Sequence, residues 1–184
     1  NPMSPEIEIR RATPDDGEAI GRIFDTPRAI AGTLQIAHMS IQARRKRLVE
    51  IDEGSYPLVA VINGEVIGQL TLHSASRSPR RKHAGSLGMA VRDDWQGKGV
   101  GSALMAACID LADNWLNLHR LELTVFVDNE PAIRLYKNYG FVMEGRLVDY
   151  GFRAGEYVDA FEMGRIRTDK TKLGKIEWNA GDAD

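Results

Sequence analysis

Short stretches in which apolar and polar residues alternate are the most regular feature of this chain. The first, EIEIRR at 6–11, directs its side chains to two faces in turn, as in a strand half buried in a sheet. Asn63-Gly64 predicts a tight hairpin because both turn residues need positive φ, and a closing hairpin is expected around Ala154-Gly155. We predict strands over 6–11, 58–62, 66–72, 83–91, 121–127, 141–150 and 156–166.

A second pattern, with apolar residues three or four positions apart, predicts helices. Its longest example joins Leu104, Cys108, Leu111, Trp115 and Leu118 in steps of 4, 3, 4 and 3. A second apolar stripe lies beside it, so we expect this helix, which runs to about residue 118, to be buried against a sheet. We predict further helices over 13–25, 40–52 and 129–139, and a loop over 26–39. This order of elements predicts the α+β class, with a mostly antiparallel sheet flanked by helices.

Composition narrows the class of protein without identifying it. The chain has 184 residues, of which 43% are hydrophobic and 27% charged, with a net charge of −2 and one cysteine. This balance gives no basic excess for nucleic acid or an anionic membrane, and no apolar run reaches the ~18 residues of a membrane span. One cysteine allows no internal disulfide, which fits a reducing compartment. We therefore expect a cytoplasmic protein without nucleic-acid or membrane partners, with one domain over 1–166 and a polar tail over 167–184.

The segment WQGKGVGSALM, residues 95–105, carries the strongest candidate chemistry. Gly97, Gly99 and Gly101 precede the long predicted helix, and the N–H groups at the start of a helix bind anions such as phosphate. Glycine lets a bulky phosphate group approach the backbone because no Cβ intervenes. The segment lacks both the G-x-x-x-x-G-K-[ST] pattern of a P-loop and the G-x-G-x-x-G pattern of a dinucleotide fold.

Two motifs in the chain resemble one known family. Gln96-x-x-Gly99-x-Gly101 resembles the pyrophosphate loop of the GNAT superfamily, the Gcn5-related N-acetyltransferases. VDNEPAIRLYKNYGF, at 127–141, resembles the second motif of that family, and the order of predicted elements agrees with it over about 6–166. The segments TLQIAHMS, SPRRKH, DNWLNLHRLELTVFVDN and AGEYVDA are similar to bacterial L-amino-acid N-acetyltransferases.

This resemblance implies the GNAT fold, in which the fourth and fifth strands splay apart in a V and acetyl-CoA lies between them as co-substrate. Backbone groups of the fourth strand would pair with the pantetheine arm, and N–H groups of the glycine loop would bind the pyrophosphate. The residues implied in cofactor binding are Met89, Ala90, Val91, Gln96, Gly97, Lys98, Gly99, Val100, Gly101, Ser102, Asn129, Ala132 and Tyr136.

Two residues are candidates for proton transfer. Tyr136 lies seven residues after Asn129, where the family carries its acid, and would protonate the leaving thiolate. The positions at which relatives carry a base hold Thr124 and Ser86 here, so Glu122, on the same strand face as Thr124, is the remaining candidate base. The alternatives are a core aromatic role for Tyr136 and an exposed or ion-paired carboxylate for Glu122. The absence of a dedicated base is a further alternative, because the amine of a free amino acid exchanges its proton readily with water.

Gln35 and His38 are the candidate contacts for the acceptor, because in the family the loop between the first two helices borders the acceptor site. The four histidines are scattered along the chain, so the sequence predicts no metal site. Cys108 lies within the apolar stripe of the long helix, where we expect a core residue and not a nucleophile.

The implied function is direct transfer of an acetyl group from acetyl-CoA to the amine of a small molecule, with an L-amino acid or an analogue as the expected acceptor. A protein N-terminal acetyltransferase is one alternative. A non-catalytic CoA-binding protein is another, because neither family base position carries a carboxylate. The family also leads us to expect a homodimer.

Overall fold

A single seven-stranded sheet organises the part of the chain that the structure, a computed structural model, describes, namely residues 5–168. The strands are β1 (Glu8–Arg11), β2 (Ser55–Ile62), β3 (Glu65–Ser74), β4 (Ala84–Val91), β5 (Arg120–Phe126), β6 (Val142–Arg153) and β7 (Glu156–Ile166). They lie in the order β1-β2-β3-β4-β5-β7-β6, and each neighbouring pair is antiparallel except β4 and β5. The predicted α+β class is confirmed, whereas residues 169–184 of the predicted tail lie outside the described residues.

Helices cover both faces of the sheet. They are α1 (Gly17–Phe24), α2 (Pro27–Ala31), α3 (Ile41–Val49), α4 (Val100–Asp110) and α5 (Glu130–Asn138). None of these helices is long and apolar enough to cross a membrane. The apolar residues of α4 and α5 form one buried cluster with Ala60 and Ile62 of β2, and those of α1 and α2 form a second with Val59 and Val61. The two clusters take alternate residues of β2, which places them on opposite faces of the sheet.

A short 3-10 turn, Pro14–Asp16, leads into α1, and the carboxylate of its last residue, Asp16, binds residues that precede the turn. The backbone N–H of Thr13 donates to Asp16 Oδ2 at 2.7 Å, and Arg10 pairs with both oxygens of Asp16 at 2.8 and 2.9 Å. Ser40 caps α3 close to the predicted start of this helix, since its hydroxyl accepts from the N–H of Ala43 at 3.1 Å. The helix ends at Val49, three residues before the predicted end.

The prediction of a loop over 26–39 was wrong at α2. A helix of five residues is too short to show an apolar repeat, and such a helix is unstable without help from the rest of the fold. Asp93 provides that help from a distant segment: its carboxylate accepts from the N–H groups of Arg28 at 2.9 Å and Ala29 at 2.8 Å.

The long helix after the glycines departs from its predicted regular stripe. It continues beyond α4 as a π-helical turn, Leu111–Trp115, which adds a residue to the turn and so rotates the end of the helix. Trp115, expected on the apolar stripe, is 76% exposed instead. In the same turn Asp113 faces β7 and accepts two hydrogen bonds from Arg165 at 2.9 and 2.8 Å.

The parallel pair β4–β5 opens as it runs, which confirms the predicted splay. Pairing covers three positions, from Ala84 opposite Arg120 to Ser86 opposite Glu122. Beyond Ser86, β4 continues to Val91 with β3 as its neighbour, whereas β5 continues with β7 as its neighbour. A gap therefore opens between two strands at the centre of the sheet.

Candidate active site

A cavity of about 1160 Å³ opens at this gap and reaches both faces of the sheet. Its first half, called here the glycine-loop side, is lined among others by Met89, Gln96, Gly97, Gly99, Asn129 and Tyr136. Its second half, the α1–α3 side, is lined among others by Phe24, Arg44, Arg47, Thr71, His73 and Tyr150. One continuous space thus joins the glycine loop to a chamber of polar and apolar side chains beneath the first three helices.

The glycine loop is shaped for contact with an anion. Gly97 has φ +72° and Gly99 has φ +85°, a left-handed conformation that residues with a Cβ rarely adopt. Gly99 directly precedes α4, so the free N–H groups of the first helical turn lie in this loop. A Cβ built at either glycine would meet nothing within 4 Å, which shows open space above the backbone. The loop therefore fits the diphosphate of a coenzyme by its conformation and its free donors.

Strand alternation decides which backbone groups of β4 face the gap. Ala84 accepts from Ala75 at 3.0 Å on the β3 side of the strand, whereas His83 accepts from Arg120 of β5 at 3.1 Å. Because the N–H and C=O of one residue point to the same side, even-numbered residues of β4 face β3 and odd-numbered ones face the gap. Of the three residues predicted to bind the cofactor here, Met89 and Val91 expose backbone groups to the gap. The backbone of Ala90 faces Gln69 of β3.

The hydrogen bonds of Gln96 indicate why the loop motif has a glutamine at this position. Its side-chain amide donates to the carbonyl of Val91 at 3.0 Å and to Asp93 Oδ1 at 3.3 Å. This satisfies the Val91 carbonyl beside the open gap and holds the loop against the end of β4. The N–H and C=O of Met89 are left as the gap-facing backbone pair for a ligand.

The residues predicted to bind the cofactor all line this cavity except Lys98 and Val100. The Lys98 ammonium lies 4.9 Å from the centre of the Trp95 ring, so it stacks beside the loop. The Val100 side chain is buried in the core beneath α4. The side chains of these two residues therefore lie away from the cavity, and Val100 contributes its backbone to the first turn of α4.

The start of α5 forms the wall opposite the glycine loop. Asn129 Oδ1 accepts from the N–H of Ala132 at 3.4 Å, as expected for a helix cap, and both residues line the cavity. The Tyr139 hydroxyl donates to the carbonyl of Ser102 at 2.9 Å and ties the end of α5 to the first turn of α4. The two motifs are thus joined by a direct hydrogen bond, and Tyr139 has a structural role.

Tyr136 is the titratable group that α5 presents to the cavity. The residue is 6% exposed, its ring lies 5.9 Å from that of Phe141, and burial raises the pKa of its hydroxyl to about 12. Its ring is packed in the core and the residue also lines the cavity, so a core position of the ring is compatible with access to the cavity. A phenol with this pKa stays protonated at neutral pH and can donate a proton.

Glu122, the other predicted catalytic residue, does not line this cavity. It occupies the last paired position of β4–β5, before the strands part, and lines a separate hollow of about 140 Å³. Arg81 and Arg120 donate to its Oε1 at 2.6 and 2.7 Å. Although burial opposes the effect, these two guanidinium groups lower the pKa of Glu122. The structure therefore separates Glu122 from Tyr136, and the ion-paired alternative describes its surroundings.

The two predicted acceptor contacts differ in position. Gln35 lines the cavity and accepts a hydrogen bond from Arg47 at 3.2 Å. His38 is exposed, has φ +63° and does not line the cavity. The structure therefore brings Gln35, but not His38, to the α1–α3 side.

Several polar residues of the α1–α3 side are absent from the predicted set. Thr71 and His73 project from β3, and Thr124 lies 3.4 Å from the hydroxyl of Tyr150 across β5 and β6. The two-residue spacing of Thr71 and His73 in a strand could have indicated a shared polar face. Partial desolvation lowers the pKa of His73, an exposed residue whose Nδ1 lies 2.9 Å from the Ser55 hydroxyl, and so favours its neutral ring.

Two further groups have no evident reactive role. Cys108 is fully buried beneath α4, and burial raises the pKa of its thiol to about 12, which fits the predicted core role. Residues 5–168 contain no group of three or more histidine, cysteine and acidic side chains that could hold a metal ion.

Comparison with known proteins agrees with this geometry. Residues 17–141 match the Acetyltransferase (GNAT) family. The chain is 47% identical over 162 residues to L-amino acid N-acetyltransferase AaaT of Escherichia coli (strain K12), across 88% of this chain and 99% of that protein.

Solved structures show the same architecture. Ribosomal-protein-alanine N-acetyltransferase from Brucella melitensis superposes with a TM-score of 0.76 at 27% identity, covering 87% of this chain and 99% of that one. A GCN5-related N-acetyltransferase from Kribbella flavida gives 0.75 at 24% identity, covering 91% and 100%. The splayed strands, the glycine loop at α4 and the match over 17–141 lead to one conclusion. The chain belongs to the GNAT acetyltransferase family and is an N-acetyltransferase that uses acetyl-CoA as co-substrate.

Proposed function

We propose that this enzyme acetylates the α-amine of a free L-amino acid. The observation that carries the proposal is the α1–α3 side of the cavity, which is continuous with the gap beside Met89 and is lined by polar and apolar side chains. The 47% identity to a bacterial L-amino acid N-acetyltransferase, across nearly the whole of both chains, supports the same substrate class.

The glycine-loop side binds and orients the co-substrate in this proposal. Acetyl-CoA supplies the acetyl group in thioester form. N–H groups of Gly97 to Ser102 bind its diphosphate, Lys98 adds a solvent-screened charge, and Asn129 and Ala132 form the opposite wall. The backbone N–H of Met89 is a gap-facing donor available to the carbonyl oxygen, and such a preorganised donor is worth about 3 kcal/mol in a transition state.

Tyr136 acts as the general acid in this proposal. Tyr136 lines the cavity, and with its pKa raised to about 12 its hydroxyl is protonated at neutral pH. It therefore holds the proton that the departing thiolate needs.

Removal of the amine proton falls to the α1–α3 side. The attacking amine must be neutral, and Glu122 lies outside the cavity. His73 does line the cavity, and its lowered pKa keeps the ring in the neutral, proton-accepting form at pH 7. We assign His73 as the base, acting directly or through water.

A thiol-release assay with acetyl-CoA tests the proposed function. The panel contains free L-amino acids, polyamines, aminoglycosides and short peptides. We expect release with amino acids and none with peptides. Release with peptides alone would favour protein N-terminal acetylation. If no member of the panel causes thiol release but acetyl-CoA still raises the melting temperature, the result would favour a CoA-binding protein without catalytic activity.

The remaining expectations concern the form of the protein. We propose one acetyltransferase domain over 1–166, supported by a sheet that takes strands from residue 8 to residue 166. We also place the protein in the cytoplasm, where a free thiol such as that of Cys108 stays reduced.

We further propose that two copies associate through the hairpin β6–β7. β6 is an edge strand, and large apolar side chains are exposed along this hairpin, including Val148, Phe152 and Tyr157 at 75%, 68% and 68%. Light scattering coupled to gel filtration should give twice the monomer mass, and Val148→Glu should reduce it. A monomeric wild-type protein at micromolar concentration would contradict this part.

A further inference from the structure

Arg44 is a buried cation in α3 whose head group lacks a protein partner. The residue is 7% exposed, and its side chain crosses α1 at Gly21, where a built Cβ would lie 3.3 Å from both Cδ and Nε. Its guanidinium carbon lies 5.0 Å from the centre of the Phe24 ring. Across residues 5–168 the guanidinium makes neither a hydrogen bond nor an ion pair, and burial lowers its pKa although the charge of Asp25 opposes this. The group nevertheless lines the cavity.

The other charged groups lining the cavity are already engaged. The three other arginines there each have a partner: Arg28 with Asp93, Arg47 with Gln35, and Arg153 with Asp128. The carboxylates there are engaged as well: Glu50 with Lys46, Asp52 with Arg77, and Asp128 with Arg153. Arg44 is therefore the cavity arginine whose guanidinium has no hydrogen-bond partner within residues 5–168, whereas Arg47 is paired with a neutral amide.

Burial of a guanidinium without an anion is costly, because it limits access to water. For Arg44 the burial is incomplete at the head group, since no side-chain nitrogen of the described residues is both fully buried and without a hydrogen-bond partner. A cation–π contact with the face of the Phe24 ring offsets part of this cost. The N–H groups at the edge of the guanidinium plane are still free to donate to an acceptor. A carboxylate matches that fork of donors with two parallel hydrogen bonds. The missing partner thus has the chemistry of a carboxylate on a small molecule that enters the cavity.

We propose that Arg44 binds the α-carboxylate of the acceptor and makes the enzyme select free amino acids over amines that lack this group. The inference rests on the proposed function and names the residue that would enforce it. Phe24, beside the guanidinium, belongs to the same buried cluster as Ala90 on the open stretch of β4. In an amino acid the carboxylate and the amine share one carbon, so anchoring the first orients the second.

The wall beside Arg44 also indicates the acceptor's side chain. Ile20, Phe24 and Leu48 line the cavity next to it and are apolar. An acceptor held by its carboxylate at Arg44 would place its side chain against this wall. Apolar amino acids therefore fit better than acidic or basic ones.

The test compares acids with their own amides. L-Leucine, L-methionine and L-phenylalanine are assayed beside leucinamide, methioninamide and phenylalaninamide, by thiol release from acetyl-CoA. We expect the wild type to prefer each acid. Arg44→Met should raise KM for the acids about 10- to 100-fold, the loss expected for a charged hydrogen-bonded pair, and leave KM for the amides within about threefold.

Arg45→Met is the matched control, because Arg45 is the exposed neighbour in the same helix and does not line the cavity. It should retain the wild-type ratio of acid to amide. Acetyl-CoA should raise the melting temperature of wild type and both variants alike, since Arg44 lies on the α1–α3 side. Arg44→Lys keeps the charge without the planar fork and should retain part of the preference for acids.

Each outcome separates this inference from the proposed function. If the acids react and Arg44→Met lowers acid and amide turnover equally, or lowers neither, Arg44 does not bind the carboxylate. If Arg44→Met does not unfold cooperatively, the Arg44→Lys variant provides the test instead. An equal loss of turnover with the acids and with the amides in Arg44→Lys would then overturn the inference. If the wild type reacts with peptides or polyamines but with no free amino acid, the proposed function fails, and this inference fails with it.

Discussion

The two sides of the cavity are built from different parts of the polypeptide. The glycine-loop side uses mainly backbone groups from two continuous segments, 89–102 and 129–136. The α1–α3 side uses residues from α1, α2, α3, β2, β3, β5 and β6, each of which contributes two or three. The first side depends on backbone conformation, and the second depends on packing between elements that are distant in sequence.

This difference separates binding from selection. A site made of N–H groups and positive-φ glycines recognises features common to every CoA molecule, so it can be the same throughout a family. A site made of individual side chains can change its acceptor by substitution without disturbing the strands. Substitutions on the two sides should therefore affect different kinetic constants.

The largest effect is expected from Tyr136→Phe, at the boundary between the two sides. The change removes the proton donor but keeps the ring against Phe141. We expect kcat to fall about 100-fold or more, as for loss of a general acid, with unchanged acetyl-CoA affinity. Single-turnover thiol release and calorimetric titration of acetyl-CoA measure the two quantities.

Tyr139→Phe is the control for this substitution. It removes the hydrogen bond to Ser102 and should cost about 1 kcal/mol of stability with little change in kcat. Unchanged kcat in Tyr136→Phe would remove Tyr136 from the acid role. Because its pKa is raised to about 12, loss of the Tyr136 proton should not produce a decline in wild-type rate between pH 7 and 10.

Gly99→Ala should affect cofactor binding alone. The left-handed backbone at Gly99, φ +85°, costs a residue with a Cβ about 1–2 kcal/mol, so we expect the Kd of acetyl-CoA to rise about tenfold. Gly145→Ala in β6 is the matched control, since a Cβ there meets nothing within 4 Å and its φ is not positive. Equal affinities in both variants would show that the loop conformation does not matter for binding.

The same contrast explains how much the sequence could predict. The cavity contacts of Gln96 and Asn129 are predictable because each belongs to a motif whose residues are neighbours in the chain. The positions of α2 and Arg44 are not, because Asp93 stabilises α2 from 65 residues away and Arg44 becomes buried only when α3 packs on α1. Glu122 shows the limit of face arguments: it shares a face with Thr124 but lies at the paired end of the strands.

His73→Gln tests whether His73, on the α1–α3 side, is the base that removes the amine proton. The base works in its neutral form, which is present above its pKa, and burial lowers that pKa from 6.5. The wild-type rate should therefore decline only on the acid side of about pH 6.5, and the variant should lose that step. We expect kcat/KM at pH 7.5 to fall about tenfold for the acceptor, with acetyl-CoA affinity retained. A pH profile identical to that of the wild type would exclude His73 as the base.

The smallest effect is expected from Glu122→Gln, which tests whether a carboxylate outside the main cavity takes part in the reaction. Glu122 is paired with Arg81 and Arg120 outside the main cavity, so kcat should change by less than about threefold, far below the loss of a general base. The guanidinium groups lower the pKa of Glu122, so at pH values above the usual pKa of glutamate its ionised form stabilises the fold. This contribution is lost as the pH falls through the lowered pKa of the folded protein. Thermal melts at pH 7 should therefore show a loss of at most about 1 kcal/mol, because the pair is partly exposed, and a smaller difference near pH 3. A 100-fold fall in kcat would instead mean that this carboxylate reaches the amine across the last paired position of β4 and β5.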